Sequence, residues 1–325
     1  MPDDTATGTT VDAPVAATDS PTATLWRRRS PRSPAVPSAT ALTGVETSTL
    51  SDATSIALAA SDEARALLDG MEVRIRTLPT TVATSSERCV SSVRGPIMWS
   101  ETLTARANAL GNDDVFVCMT TSRSFDTIEN RLLVDALNSI AVAARALRGP
   151  TGERVDPDEA ARIEAIAIEA AGWRGDSRFA DVTTRRLTGR AAAHVRGGHR
   201  RAWMEPIHAV RSRAREPFWP EDVVGLCDEW TAALHRTVVQ VLDALDRPHL
   251  MTLSDGGLWS GPVSFRHPDA PGSGVAGLAV RGRPVLPGGD VAAAPWARRL
   301  PTGGVRVPPD AGPDEVRTLL RHSSS

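Results

Sequence analysis

Apolar and polar positions change period several times along this chain, and the changes divide it into elements. From Leu50 onward Ile56, Leu58, Ala59, Ala64, Leu67 and Leu68 recur at helical spacing, with Asp52 placed to cap the run and Gly70 to end it. Met71–Pro79 then alternates Val73 and Ile75 against Arg74 and Arg76, the period of a half-buried strand. A second extended piece over Glu87–Val93 leads to the turn signal Arg94-Gly95-Pro96. A short helix opened by Ser100 and Glu101, the loop Gly111–Asp114 and a strand of β-formers over Val115–Thr120 follow. In the next helix Leu133, Ala136, Leu137, Ile140, Ala144 and Leu147 form one stripe, opposite Arg131, Asp135, Asn138 and Arg145. Asp126, with Glu129 three residues on, reads as an acidic capping box. Asn130 sits beside the apolar stripe, where a buried amide needs partners, so both it and Glu129 are expected to face the Arg94–Trp99 turn.

Helical spacing continues over Pro157–Gly172, Val182–Val195, His199–Arg215 and Glu221–Leu245. The last carries Val224, Leu226, Trp230, Leu234, Val238, Val241, Leu242 and Leu245, a pattern suited to a bundle core. From Leu250 short apolar runs alternate with Gly and Pro, and Arg281-Gly282 is placed to turn a hairpin. Residues 1–48 hold few large apolar side chains and predict a disordered tail, with the Arg27–Arg32 cluster a solvated basic patch. The expected organisation is therefore a tail over 1–48, a main domain over 49–248, a small β extension over 249–290 and a loose tail over 291–325. The fold class is α+β: a small N-terminal β-containing part, a central helical bundle and a short Gly- and Pro-rich β extension.

Composition narrows the chemistry. Among 325 residues every basic side chain is Arg, with no Lys and no Tyr. A Walker A lysine, a Schiff-base lysine and the lysine of a D…ExK nuclease are all excluded. Three well-separated cysteines, Cys89, Cys118 and Cys227, fit reduced thiols in a cytoplasmic protein. No apolar run approaches the roughly 20 residues of a membrane span.

Motifs for catalysis are thin. The chain has no G-x-S-x-G, S-x-x-K, H-E-x-x-H, C-x-x-C or G-x-G-x-x-G. Ser260 resembles a nucleophile elbow only loosely, Glu205 and His208 make half of a di-iron motif without a second copy, and the His194/His199 spacing has no recognised ligand geometry. These features lean away from an enzyme, with no metal or cofactor expected. The strongest positive signal is basic. Arg185, Arg186, Arg190, Arg196, Arg200, Arg201, Arg211, Arg213 and Arg215 stand against the single acid Glu205, with Trp203 among them and Trp219 soon after. Arginine forks beside aromatics suit phosphates and stacked bases, whereas the same residues paired to acids would be an ordinary solvated face.

One stretch also carries a resemblance. Arg94, Gly95 and Trp99 in the turn, Thr102 and Arg106 on the next helix, and Asp126, Thr127, Glu129, Asn130 and Leu133 at a helix opening are similar to a known pattern. They resemble the N-terminal region of proteins related to McrC-type subunits of modified-cytosine restriction systems, and a related domain of unknown function found ahead of restriction-endonuclease-like domains. The resemblance implies a scaffold in a restriction or defence system, with DNA and a motor or nuclease protein as partners. The nuclease of such proteins is not matched, because no Lys is present and no Glu occurs between Leu245 and Glu315. The expected function is a non-catalytic component binding nucleic acid or a partner protein. The alternatives are a stand-alone protein-interaction scaffold without a nucleic-acid role and, least favoured, an enzyme with an unrecognised site.

Overall fold

The computed structural model describes residues 20–183, 201–253, 256–271, 277–289 and 294–322. The chain is α+β. Its elements in order are α1 (Pro21–Arg28), α2 (Ala35–Thr43), α3 (Thr47–Ala59), α4 (Asp62–Asp69), α5 (Met71–Arg76), β1 (Thr81–Val90), α6 (Trp99–Asn108) and β2 (Val115–Ser124). They continue with α7 (Ile128–Ala141), α8 (Ala143–Ala146), α9 (Pro157–Arg174), α10 (Arg201–Arg215), α11 (Pro220–Gly225) and α12 (Glu229–Ala244). Strands β3 (Met251–Thr252), β4 (Leu258–Ser260), β5 (Val263–Arg266), β6 (Gly277–Val280), β7 (Arg283–Pro287) and β8 (Val305–Val307) precede α13 (Pro313–His322). The chain forms two compact units, residues 55–214 and residues 1–54 with 215–325. This replaces the expected division at 48, 248 and 290.

The 55–214 unit is built on α7, whose Leu132, Leu133, Leu137 and Ile140 are fully buried. Ile163 and Ala167 of α9, Leu67 and Met71 from α4 and α5, and Met204 and Ile207 of α10 complete that core. Met71–Arg76 is helical where the alternation predicts a strand. Buried Met71, Arg74 and Ile75 fit the helical period, and Val73 is 68% exposed. Over so short a run the two periods differ only at Val73 and Arg74. Burying Arg74 decides for the helix, because its guanidinium donates to the carbonyl of Leu67 at 3.0 Å.

In the other unit the expected tail is overturned over residues 20–48, while residues 1–19 lie outside the described set. Leu25, Trp26, Ala39, Ala41 and Leu42 are buried there. Helix α2 is buried along most of its length although it is made largely of Ala, Ser and Thr. Small side chains let a helix be surrounded closely, and its hydroxyls bond back to its own chain: Ser38 to the Pro34 carbonyl at 2.6 Å and Thr43 to the Ala39 carbonyl at 2.8 Å. Counting large apolar residues misses a segment of this kind. The Arg27–Arg32 cluster is not a free basic patch either: Arg28 pairs with Asp243 at 2.7 Å, and Arg29 pairs with Glu216 and lies over Trp26.

The helix expected over Glu221–Leu245 is two helices, α11 and α12. The side chain of Asp228 accepts from the Thr231 amide at 2.7 Å and starts α12 afresh. A six-stranded sheet follows in the order β3-β4-β5-β6-β7-β8, antiparallel up to β7 and parallel at β8. The hairpin expected at Arg281-Gly282 is present, with φ of 51° and 77° at the two positions. The sheet runs past the expected limit at 290, and the loose tail over 291–325 is corrected as well. Trp296 and Val316 are buried in the core, and Arg317 donates to the Ala244 carbonyl at 3.0 Å.

The least forgiving part of this core is His235 on α12, which is fully buried. Its Nε2 donates to the Leu42 carbonyl at 3.0 Å and its Nδ1 accepts from the Thr22 hydroxyl at 2.8 Å, an arrangement for a neutral ring. Burial pushes its pKa down to about 3. Because the folded value lies below the unfolded value of about 6.5, the stability tied to this ring is complete above pH 6.5 and is lost as pH falls toward 3. Urea unfolding should therefore weaken between pH 6.5 and 4 with an acid slope up to about 1.4 kcal/mol per pH unit steeper than in a His235→Gln variant. Identical slopes for the two proteins would contradict the neutral-ring account.

Candidate functional site

The stretch that carries the sequence motif forms an arm made of β1, β2 and α6. The strands pair antiparallel over their whole length, from Thr81 opposite Ser124 to Val90 opposite Val115. One side chain holds the two strands together at the base of this ribbon. Asn130 is fully buried at the start of α7, and its Nδ2 donates to the Pro79 carbonyl at 2.9 Å and the Phe125 carbonyl at 2.7 Å. The expectation that Asn130 is buried and bonded to main chain holds, but its partners flank the ribbon and are not in the Arg94–Trp99 turn. Helix α7 is capped by Thr127, whose hydroxyl accepts from the Asn130 amide, and not by Asp126. Asp126 instead takes the Arg131 guanidinium at 2.6 and 2.5 Å and both the amide and hydroxyl of Thr183. Arg131, and to a lesser degree Thr183, hold its carboxyl well below the usual carboxylate range. Glu129 is half-buried, and among the described residues none of Arg94, Arg106 and Arg123 pairs with it.

The turn and α6 run along the outer edge of β2 and satisfy its main chain. The Met119 amide donates to the Pro96 carbonyl at 2.8 Å, and the Met98 amide to the Val117 carbonyl at 2.8 Å. The Val117 amide donates to the hydroxyl of fully buried Thr102 at 2.9 Å. Arg106 donates to the Val115 carbonyl at 2.9 Å, pairs with Asp113 at 3.3 Å and lies over the Phe116 ring. Gly95 is required by this closeness, since a Cβ there would lie 2.2 Å from the Met119 carbonyl oxygen. Arg94 reaches back to Glu87 at 3.4 Å. Most of the motif is therefore a clamp on one strand edge.

Trp99 is the exception, exposed at 59%. It has company. Val82, Val90, Val93, Leu103, Leu110 and Met119 are also exposed large apolar residues within this arm. Trp99 and Leu103 stand one helical turn apart on α6, a helix in which Thr102 is the one buried residue. Apolar exposure concentrated like this marks a contact surface more often than a free one. Exposure of residues inside an alternating strand or a weak helix cannot be read from spacing alone, and the sequence gives no sign of it.

The arginine segment is less coherent. Arg185, Arg186, Arg190, Arg196 and Arg200 lie outside the described residues, as do His194 and His199. On α10, Arg201 and Arg215 are exposed and Arg213 is half-buried, while Arg211 is taken by Asp135 at 2.8 Å. Trp203 is half-buried and packs against the core of its unit. Trp219 is 65% exposed. Glu205 and His208 line a shallow cleft of ≈ 460 Å³ on α10 with Arg201 and Ser212. Among the described residues no three His, Cys, Asp or Glu side chains gather as a metal site. Ser260 is buried within β4. The Cys227 thiol is pushed up to about 11 by burial, which leaves it protonated and a poor nucleophile. No described helix is long and apolar enough to cross a membrane.

Comparison of the chain with protein-family models, with curated proteins and with solved structures gives no match.

The geometry separates the two unusual residues at the start of α7. Asn130→Ala removes the donor from two carbonyls at the base of the ribbon, one buried and one part-buried, and should cost about 1–3 kcal/mol in urea unfolding. Glu129→Ala should stay within about 0.5 kcal/mol of wild type. Equal costs at the two positions would mean that the amide is not what holds the arm.

Proposed function

We propose that this chain is a non-catalytic binding component whose working surface is the arm formed by β1, α6 and β2, and that its partner is another protein. The observation that supports this is the set of exposed apolar side chains there, centred on Trp99 and Leu103. Tryptophan is among the residues that dominate protein interfaces energetically. In this reading the chain serves as the scaffold that the McrC-type resemblance implies, presenting the arm to a motor or nuclease protein. The motif residues Gly95, Thr102 and Arg106 act through structure, holding α6 against β2 so that the Trp99 face stays outward.

A photo-crosslinking side chain placed at Leu103 tests the reading in cells that naturally make the protein. A control probe at Ile168, exposed to 61% on α9, reports random encounters. The expected outcome is a discrete adduct from position 103 that Trp99→Ala abolishes. Equal labelling from both positions would remove the arm as a contact surface.

Nucleic-acid binding is a second reading, supported by the exposed Arg201 and Arg215 of α10 and by exposed Trp219. It predicts phosphate-led binding whose affinity falls with salt at a logarithmic slope of about −0.9 per duplex phosphate contact. Titrating duplex and single-stranded DNA against wild type and an Arg196/Arg200/Arg201→Ala variant measures this. Loss of affinity and of slope in the variant supports it, and equal binding by the two proteins rejects it.

A further inference from the structure

The two edges of the ribbon are treated differently. On β2 the groups that face away from β1 are those of Val115, Val117 and Met119, and each of these residues has a partner in the Pro96–Met98 segment, Thr102 or Arg106. Register places Val90, Arg88 and Ser86 opposite those three residues. Alternation then turns the main-chain groups of Val82, Thr84, Ser86, Arg88 and Val90 outward on the far side of β1. All five residues are exposed, and among the described residues no hydrogen bond reaches their outward N–H or C=O groups. Natural edge strands are usually short or guarded by lysine, proline or a bulge. Strand β1 is ten residues long, pairs without interruption, holds no proline, and its only charged residues are Glu87 and Arg88.

We infer that β1 is a strand-addition edge and that its occupant is β1 of a second copy, joined antiparallel about a two-fold axis at Ser86 to make one four-stranded sheet. The inference rests on reading the arm as a contact surface, and it names one partner for its open edge. Self-complementarity argues for the second copy. An axis at Ser86 sets Val82 opposite Val90 of the second copy, so the exposed valines cover one another at both ends. Thr84 falls opposite Arg88 and Ser85 opposite Glu87, so no like charges oppose. All five outward residues of each copy then pair. An axis at Ser85 leaves Val90 outside the ladder and sets Val82 against Arg88, which loses both the bonds and the apolar match. Strand β1 carries one Glu and one Arg, so two copies meet without net repulsion.

The full-length protein should sediment as a dimer at about 100 µM, where a dissociation constant of about that size would already leave half of the chains paired. Ser86→Pro removes an outward N–H and leaves the β1–β2 ladder intact, because proline is tolerated on a free edge. This variant should be monomeric with an unchanged circular dichroism spectrum. Ser86→Cys should form a covalent dimer under mild oxidation, since directly opposed Cα atoms about 5.5 Å apart lie within disulfide reach. Wild type, whose own thiols remain, is the control and should not cross-link. A monomeric wild type, a dimer that survives Ser86→Pro, or the absence of a Ser86→Cys product overturns the inference. Should Ser86→Pro fail to fold, the Ser86→Cys result decides. A monomeric wild type whose Leu103 adduct persists overturns self-pairing alone and leaves the partner-protein reading in place.

Discussion

The arm depends on one amide. Asn130 bonds the carbonyl just before β1 and the carbonyl just after β2, so a single side chain fixes both strands at the base of the ribbon to the first turn of α7. A two-stranded ribbon has little stability of its own in water. Its ladder becomes useful only when its base is held, and a buried amide with short bonds does this without needing a large apolar face. The neighbouring groups serve the same junction: Thr127 caps the helix, and Asp126 gathers Arg131 and Thr183 beside it.

From that base the ribbon projects with unequal edges. The outer edge of β2 is closed by a turn, a hydroxyl and a guanidinium, whereas among the described residues nothing bonds the outer edge of β1. The exposed faces of Trp99 and Leu103 lie on the helix that does the closing. The same sequence features therefore build the arm and leave these apolar groups exposed.

Arginine does most of the electrostatic ordering in this lysine-free chain. Paired forks recur in Arg131 with Asp126 and Arg178 with Asp176, while Arg211 makes a single bond to Asp135. Planar guanidinium groups suit such bidentate work, which an ammonium cannot reproduce. A high count of arginines is thus weak evidence for a polyanion partner in this protein. Several of them are committed to carboxylates or carbonyls, and those on α10 are only partly free.

By itself the sequence determined the helices with strong stripes, α7 and α9, the strand β2, the hairpin at Arg281-Gly282 and the α+β class. Each follows from local periodicity or from a turn residue whose backbone preference is its own. The buried amide at Asn130 was also legible, because a polar residue on an apolar stripe must find partners. Its partners were not, since Pro79 is distant in sequence and only the packed chain brings it near. Tertiary structure alone decided that residues 20–48 are core, because the burial of small residues depends on what surrounds them. It decided that Met71–Arg76 is a helix by supplying a carbonyl for Arg74, and it split Glu221–Leu245 where Asp228 could cap. It also decided which edge of the ribbon is closed and which apolar side chains stay outside. Exposure is a property of neighbours, and a sequence names the residues without saying which of them will meet.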